Sequence, residues 1–192
     1  MSSRIRIVAL GDSLTEGFGV APRESYPARL ELLLKRSGWD CRVINAGVSG
    51  DTCRQVLARL DRVVNQSPDL VILEIGINDI LMGAMPERIH ANVAGIVERL
   101  SAHGIPVALA GMDLPLAGDP DTQAAFVEIY PAIARTYDLV LIPLFLNPVW
   151  LEEDRVQFDG VHPTAEGYRA ITDHLLPWVI QALEKLPPRS DS

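Results

Sequence analysis

Apolar residues recur along this chain in short continuous runs, and these runs alternate with longer stretches that show helical spacing. Four runs are apolar almost throughout, which is typical of parallel strands that are covered on both faces, and a fifth run, 41–45, also contains Arg42 and Asn45. Glycine or proline lies close to most of these runs and marks turns. The predicted strands are 7–10, 41–45, 70–75, 106–111 and 139–142.

Between these runs, apolar side chains repeat every three or four residues and predict amphipathic helices. The helical stretches are 26–34, 53–64, 86–103, 119–137 and a last helix that begins after Thr164. Pro131 and Pro177 are expected to bend the last two helices. Such alternation predicts a three-layer α/β/α sandwich, with a flavodoxin-like five-stranded parallel sheet in the order 2-1-3-4-5. We expect one domain over residues 1–186 and a disordered tail over 187–192.

Composition excludes several classes of function. With 48% hydrophobic and 22% charged residues, the chain has the balance of a folded soluble protein. Its net charge of -8 argues against a nucleic-acid partner, because a phosphate backbone would be repelled. Neither a signal peptide nor a membrane-spanning run is recognisable, which predicts no stable membrane anchoring and a cytoplasmic location; secretion stays open for a chain that had lost a leader. Cys41 and Cys53 lack zinc-ligand spacing and are expected to be free thiols.

Candidate chemistry begins where the first predicted strand ends, at Gly11-Asp12-Ser13. The carboxyl ends of parallel strands meet at one edge of a sheet, where loops converge, so Ser13 is a candidate nucleophile. The alternative is that Asp12 or Ser13 only caps the helix that follows, because short polar side chains satisfy free N–H groups at helix starts. This stretch alone does not separate the two interpretations.

A serine nucleophile needs a general base, which in turn needs an orienting group. His162 lies in a loop, and Asp159 precedes it by three residues with Gly160 between them, so the carboxylate can fold back onto the imidazole. The alternative is a loop histidine that caps the next helix. The remaining histidines lie within or at the end of predicted helices and are expected to be structural or solvated: His90, His103 and His174.

Attack on a carbonyl also needs donors for the oxyanion that develops. Gly50 can expose its backbone N–H, and Asn78 carries a side-chain amide; both lie in loops that follow predicted strands. The alternatives are a turn residue for Gly50 and a helix cap for Asn78. These residues, Ser13 and the histidine loop are all expected at the same edge of the sheet.

Four ordered blocks of this chain resemble those of the SGNH (GDSL) hydrolases, and its length and lead-in segments are similar to the thioesterase I/arylesterase branch. The blocks are Gly11-Asp12-Ser13-Leu14, Gly47-Val48-Ser49-Gly50-Asp51-Thr52, Gly76-Ile77-Asn78-Asp79 and Asp159-Gly160-Val161-His162-Pro163. Two segments depart from that branch. Ile77 stands where relatives often have a second glycine, and 116–119 lacks an Asn-Tyr-Gly character that is associated with the thioesterases.

The resemblance implies that Ser13 is the nucleophile, His162 the acid and base, and Asp159 the orienting acid. It also implies an oxyanion hole formed by the N–H groups of Ser13 and Gly50 and by the Asn78 amide, with no metal and no organic cofactor. The expected substrate is a small ester or thioester with a short to medium acyl chain, whereas the sequence leaves the oligomeric state open. The residues predicted to contact this substrate are Ile77, Ile80, Leu81, Pro115 and Trp150.

Three alternative functions stay open on sequence grounds. The same triad would serve a carbohydrate O-deacetylase or an acyltransferase. A non-catalytic flavodoxin-like binding module would not need serine, histidine and acid together. A metal hydrolase would use carboxylates as hard ligands, although their spacing is poor for a metal and Asp51 and Asp79 are typical helix caps. Its candidate ligands are Asp12, Asp51, Asp79, Asp159 and His162.

Overall fold

A single sheet of five parallel strands forms the centre of the protein in the computed structural model, which describes residues 4–112, 120–150, 152 and 154–187. The strand order is β2-β1-β3-β4-β5, which confirms the predicted flavodoxin-like order. In the register of the sheet, Ile7 lies between Val43 and Leu70. The strands are β1 (Ile5–Gly11), β2 (Cys41–Gly47), β3 (Leu70–Leu73), β4 (Val107–Ala110) and β5 (Val140–Ile142).

Helices surround this sheet in two groups, since α2 packs against α8 and α6 packs against both α3 and α7. A short 3₁₀ turn over Pro22–Glu24 precedes α2. The helices are α1 (Ser13–Glu16), α2 (Tyr26–Arg36), α3 (Cys53–Ala58), α4 (Leu60–Val64), α5 (Ile77–Leu81), α6 (Pro86–Ala102), α7 (Pro120–Tyr137) and α8 (Ala165–Glu184).

The prediction of one continuous helix over 53–64 was wrong. The segment forms α3 and α4, which are interrupted at Arg59, where φ is -104° and ψ is 10°. Apolar spacing continues through the break, so the pattern could not reveal it. The short helices α1 and α5 were not predicted because four or five residues are too few for a periodic signal. Both α7 and α8 continue past their internal prolines, Pro131 and Pro177, and the bends there stay predictions.

The two central strands are buried on both faces. Residues 7–10 of β1 have no exposed surface, and residues 70–73 of β3 have at most 1%. Each square ångström of apolar surface removed from water stabilises the fold by about 25 cal/mol. Because these strands are fully packed within the core, they form a rigid base for the loops at their ends. Cys41 and Cys53 are buried free thiols.

In the described ranges, every helix is too short or too polar to cross a lipid bilayer. Pro115, the 116–119 segment and most of the predicted tail, 188–192, lie outside the described residues. The single-domain boundaries therefore stay a prediction.

Candidate active site

Ser13 is the first residue of α1, directly beyond the carboxyl end of β1, and only 6% of its surface is exposed. The preceding residue, Asp12, caps this helix, because its Oδ1 accepts a hydrogen bond of 3.0 Å from Leu14 N–H. The sequence left open whether Asp12 or Ser13 caps this helix, and the structure shows that Asp12 does. The Ser13 hydroxyl is left for another partner.

That partner is His162, whose Nε2 lies 2.9 Å from Ser13 Oγ. Its other ring nitrogen, Nδ1, lies 2.7 Å from Asp159 Oδ2. Serine, imidazole and carboxylate thus form one continuous chain of hydrogen bonds, although 149 positions separate the serine from the histidine. The structure brings together the three side chains that were predicted to act as a triad.

Asp159 is fixed by the backbone of its own loop. Its Oδ1 accepts hydrogen bonds of 2.9 Å from both Val161 N–H and His162 N–H. Partial burial acts to raise the pKa of Asp159, but these backbone donors and His162 outweigh it and hold the pKa below its ordinary value. The carboxylate is therefore ionised at neutral pH. Gly160 has a φ of +76°, which allows the tight turn.

Two residues that the sequence analysis missed support the imidazole. The Phe18 ring lies against His162, with ring centroids 4.5 Å apart and planes tilted by 40°. Gln157 Nε2 donates hydrogen bonds of 2.8 Å to the carbonyl oxygens of Phe18 and Pro163. Gln157 thereby ties the histidine loop to the loop that follows α1.

The loop that carries Gly50 is attached to the nucleophile helix. Both the N–H, at 2.9 Å, and the hydroxyl of Ser49 donate to the carboxylate of Glu16, the last residue of α1. Gly47 packs so closely that a Cβ there would lie 2.2 Å from Glu16 N. Gly50 itself is exposed with a φ of +82°, and no described residue accepts its N–H. This donor is therefore available to a ligand.

Asn78 is the second residue of α5, whose cap is Gly76, so Asn78 does not cap this helix. Its Nδ2 donates a hydrogen bond of 2.9 Å to the carbonyl of Asp51, the residue after Gly50. The same nitrogen lies 3.3 Å from Asp12 Oδ2, near the long limit of a hydrogen bond. The amide thus lies between the Gly50 loop and the turn that carries Ser13.

Arg59, at the break between α3 and α4, joins three of these segments and had no signal in the sequence. Its Nε lies 2.6 Å from Asp51 Oδ2, and its Nη2 donates hydrogen bonds of 3.0 Å to the carbonyls of Gly11 and Ala46. The Arg59 and Asp51 side chains are only 16% and 9% exposed. This ion pair sets the position of the Gly50 loop relative to the ends of β1 and β2.

Beneath the nucleophile lie two buried acids, Asp12 and Glu74. Burial, followed by the nearby charges of Asp51 and Asp79, raises the pKa of Asp12 to about 7, although Leu14 N–H opposes the shift. Burial and then the charge of Asp12 raise the pKa of Glu74 well above its ordinary value. Glu74 Oε2 accepts a hydrogen bond of 2.7 Å from Thr15, while Oε1 has no partner among the described residues.

The residues predicted to contact substrate have different environments. Ile80 lines a cavity of about 430 Å³ together with Met85 and Phe126. Leu81 is 53% exposed, whereas Ile77 is 1% exposed and packs in the core, which leaves its side chain almost no surface for a ligand. Trp150 packs partly buried against the core, and Pro115 lies outside the described residues.

The other histidines are remote from this geometry. His103 Nδ1 contacts the carbonyl of Arg99, His174 Nε2 contacts that of Pro143, and His90 is exposed on α6. In the described part of the chain, no three side chains of metal-binding type converge on one point. The Asp79 carboxylate accepts Cys53 N–H at 2.8 Å and so caps α3 from helix α5.

Known proteins show the same organisation. Residues 9–170 match the model of the GDSL-like Lipase/Acylhydrolase family. The chain belongs to this family. It is therefore a hydrolase that acts on ester bonds, and the resemblance inferred from the four sequence blocks is confirmed.

Individual relatives agree with this assignment. The chain is 33% identical to esterase TesA of Pseudomonas aeruginosa, over 89% of this chain and 86% of the relative. It is 32% identical to thioesterase 1/protease 1/lysophospholipase L1 of Escherichia coli K12, over 94% of this chain and 84% of the relative. The crystal structure of AlinE4, an SGNH-hydrolase family esterase, superposes with a TM-score of 0.78 at 41% identity, covering 95% of this chain and 98% of that one.

Proposed function

We propose that this hydrolase cleaves small esters and thioesters, with short to medium acyl chains, through an acyl-enzyme intermediate on Ser13. The observation that carries the proposal is the continuous chain of hydrogen bonds from Ser13 Oγ through His162 to Asp159, with separations of 2.9 and 2.7 Å. This arrangement is the one that serine acyl transfer requires, because the hydroxyl is a weak nucleophile until a base removes its proton.

In the first step, His162 Nε2 accepts the proton of Ser13 as Oγ attacks the carbonyl carbon of the ester. The imidazole becomes positively charged, and the ionised carboxylate of Asp159 stabilises it through Nδ1–H while it holds the ring in the reactive tautomer. His162 then gives the proton to the leaving alcohol or thiol. The acyl group stays on Ser13.

The negative charge on the carbonyl oxygen is stabilised by three donors. These are the Ser13 N–H at the start of α1, the open Gly50 N–H and the Asn78 amide. One Asn78 N–H is held by the Asp51 carbonyl, and the other, which has only the 3.3 Å contact to Asp12, turns to the oxyanion. Each such donor contributes on the order of 2.7–4 kcal/mol to stabilisation of the transition state.

The second step repeats the first with water as the nucleophile. His162 removes a proton from water, the hydroxide attacks the acyl-Ser13 carbonyl, and the carboxylic acid leaves as Ser13 recovers its proton. Proton transfer by the imidazole and oxyanion stabilisation by the three donors serve both steps. The chemistry is complete with side chains, backbone N–H groups and water.

A largely apolar cavity at Ile80, two residues after Asn78 on α5, supports an acyl chain of limited length. This cavity has a volume of about 430 Å³, and Ile80, Met85 and Phe126 are among the residues that line it. Apolar walls favour a hydrocarbon chain over an acetylated sugar. The name of the Escherichia coli relative supports thioesters as substrates beside oxygen esters.

The proposal is tested with p-nitrophenyl acetate, butyrate and octanoate, assayed with the wild type and with Ser13→Ala. We expect kcat to fall by about 10⁴-fold in the variant on every ester. The matched control is Ser101→Ala, because Ser101 is exposed near the end of α6, away from the triad. Unchanged hydrolysis by Ser13→Ala would refute the proposal.

Further arms of the assay separate the alternatives. Loss of wild-type activity on treatment with a chelator would favour a metal hydrolase. An ester product formed in the presence of an acceptor alcohol would identify an acyltransferase. Faster turnover of acetylated sugars than of butyrate esters would identify a carbohydrate deacetylase.

A further inference from the structure

Phe18 is an aromatic residue that lies directly against the proton-transfer group of the site. Its ring centroid lies 4.5 Å from that of His162, and the two ring planes are tilted by 40°. This contact leaves much of the side chain uncovered, because 48% of the Phe18 surface is exposed. The imidazole therefore has an apolar neighbour that still has a free surface of its own.

The backbone of Phe18 is fixed from two sides, so the ring is held in place without burial in the core. Its N–H donates a hydrogen bond of 3.1 Å to the carbonyl of Ser13, and its carbonyl accepts one of 2.8 Å from Gln157 Nε2. Gly17, with a φ of +91°, ends α1 on one side of it. On the other side, a Cβ at Gly19 would lie 2.3 Å from Gln157 Oε1, so the two segments are in close contact. The chain thus holds a large apolar ring between the nucleophile and the base loop.

Proton transfer determines where the leaving half of the ester lies. In the proposed reaction, His162 Nε2 gives its proton to the leaving oxygen or sulfur, which requires a separation of about 2.6–3.2 Å between the two atoms. The oxyanion occupies a different corner of the tetrahedral intermediate and faces the donors of Gly50 and Asn78. Because the Phe18 ring lies against the same imidazole, the groups next to the leaving atom come within reach of its exposed surface.

We propose that Phe18 is a specificity-determining residue for the leaving half of the substrate. The inference rests on the proposed hydrolysis at Ser13 and deepens it. The exposed part of the ring packs against the departing alcohol or thiol, which favours an apolar leaving group over a charged or hydroxylated one because apolar surface is removed from water. A planar leaving group gains most, because two rings can stack with an offset or meet edge to face.

A role confined to support of the imidazole would have a different kinetic signature. All butyrate esters form the same butyryl-Ser13 intermediate, so the breakdown of this intermediate depends on His162 and not on the group that has left. Support of the imidazole would affect formation and breakdown of the intermediate alike. Contact with the leaving half affects formation alone, which kcat/KM reports.

The test compares the wild type with Phe18→Ala and Phe18→Leu on phenyl, cyclohexyl and methyl butyrate. Phenyl and cyclohexyl groups are similar in size and differ in planarity, whereas a methyl group offers a side chain almost no surface. Each comparison measures two enzymes on the same substrate, so differences in leaving-group reactivity cancel. Breakdown of butyryl-Ser13 is measured separately, after a burst with p-nitrophenyl butyrate. The matched control is Leu32→Ala, which removes an apolar side chain of similar exposure, 55%, from α2.

We expect kcat/KM for phenyl butyrate to fall about tenfold in Phe18→Ala and about fivefold in Phe18→Leu, because leucine keeps apolar surface but cannot stack. Cyclohexyl butyrate should lose activity in Phe18→Ala and keep most of it in Phe18→Leu. The falls on methyl butyrate and in the breakdown of butyryl-Ser13 should be no more than about twofold, and Leu32→Ala should match the wild type. Equal falls on all three esters with equally slower breakdown would overturn the proposal, as would an unchanged kcat/KM for phenyl butyrate.

Binding without turnover separates this inference from the proposed function. Isothermal titration of phenyl butyrate into Ser13→Ala should detect binding that an added Phe18→Ala substitution weakens about fivefold. Equal binding with and without the Phe18 ring would refute the inference, whatever the kinetics. Hydrolysis retained by Ser13→Ala would instead refute the proposed function and leave the binding result standing.

Discussion

The nucleophile and the base of the candidate site are supported in different ways. Ser13 and Asp12 are at most 6% exposed, and several elements hold their turn. The Asp159 and His162 side chains are 42% and 19% exposed. Their loop is closed largely by its own backbone, through hydrogen bonds from Gln157 N–H to His162 O at 2.7 Å and from Thr164 N–H to Arg155 O at 2.9 Å.

Because of this difference, we expect substitutions on the two sides to affect stability and catalytic rate differently. The nucleophile side shares its contacts with the sheet, so substitutions there should reduce the free energy of unfolding as well as the rate. The base loop contributes little to the core, so substitutions there should reduce the rate alone. The buried side fixes the reacting oxygen and the oxyanion donors, and the exposed side presents the proton acceptor.

Among substitutions around the nucleophile, the largest effect is expected from His162→Ala in the base loop. Loss of the general base should lower kcat by about 10³-fold or more, because no other side chain among the described residues accepts the serine proton. The free energy of unfolding should change by less than about 1 kcal/mol, because the loop that holds this half-buried side chain contributes little to the core. Kinetics and urea denaturation measure both quantities, with His90→Ala as the matched control. A large loss of stability would contradict the comparison between the two sides.

On the buried side, Arg59→Met should lower both kcat and the free energy of unfolding. The rate should fall by about 10²-fold, because a shift of about 1 Å in the Gly50 loop misplaces the oxyanion donors. Removing one partner of a buried ion pair should also cost about 3 kcal/mol of stability. Arg99→Met, which breaks the exposed pair with Asp61, is the control and should cost less than about 1 kcal/mol. Equal effects in the two variants would show that Arg59 does not position the loop.

A smaller effect is expected from Gln157→Ala. This change removes both side-chain hydrogen bonds that tie the base loop to Phe18 and Pro163. We expect kcat to fall by about tenfold, with KM and stability nearly unchanged, because the imidazole would be held less precisely. Gln66→Ala, which removes a hydrogen bond on the remote helix end, serves as the control. Loss of stability without loss of kcat would assign Gln157 a purely structural role.

The smallest effect on catalysis is expected from Glu74→Gln, which tests the buried acids. The pKa of folded Glu74 lies well above its ordinary 4.5, so the native state retains a proton that the unfolded state releases. Its contribution to stability is therefore complete below pH 4.5 and is lost as the pH rises. As the pH rises above 4.5, the free energy of unfolding should fall by close to 1.4 kcal/mol per pH unit, which is roughly the value for the release of one proton.

In Glu74→Gln the free energy of unfolding should therefore fall less steeply between pH 5 and 8 than in the wild type. Asp12, whose pKa is raised in the same direction, stays in both proteins and contributes a pH dependence of its own to each profile. Glu87→Gln, an exposed acid on α6, is the control. Parallel pH profiles for wild type and Glu74→Gln would show that Glu74 is not held protonated.

The order of the strands in the sheet and the main site positions could be predicted because each depends on a local sequence pattern. Continuous apolar runs identified the strands, and the parallel order then placed the segments with Ser13, Gly50 and Asn78 side by side. The supporting residues could not be predicted in the same way. Arg59 lies in an unbroken helical pattern, and Gln157 and Phe18 meet only because segments 139 positions apart converge in the fold.

The most direct test of the central claim is covalent capture of the nucleophile by an organophosphonate ester that carries a p-nitrophenol leaving group. Intact mass should show one phosphonyl group per chain, and peptide mapping should place it on Ser13, with activity lost in proportion to labelling. Ser13→Ala should remain unlabelled, and His162→Ala should label far more slowly. Inhibition without modification of Ser13, or a label on another residue, would contradict the account.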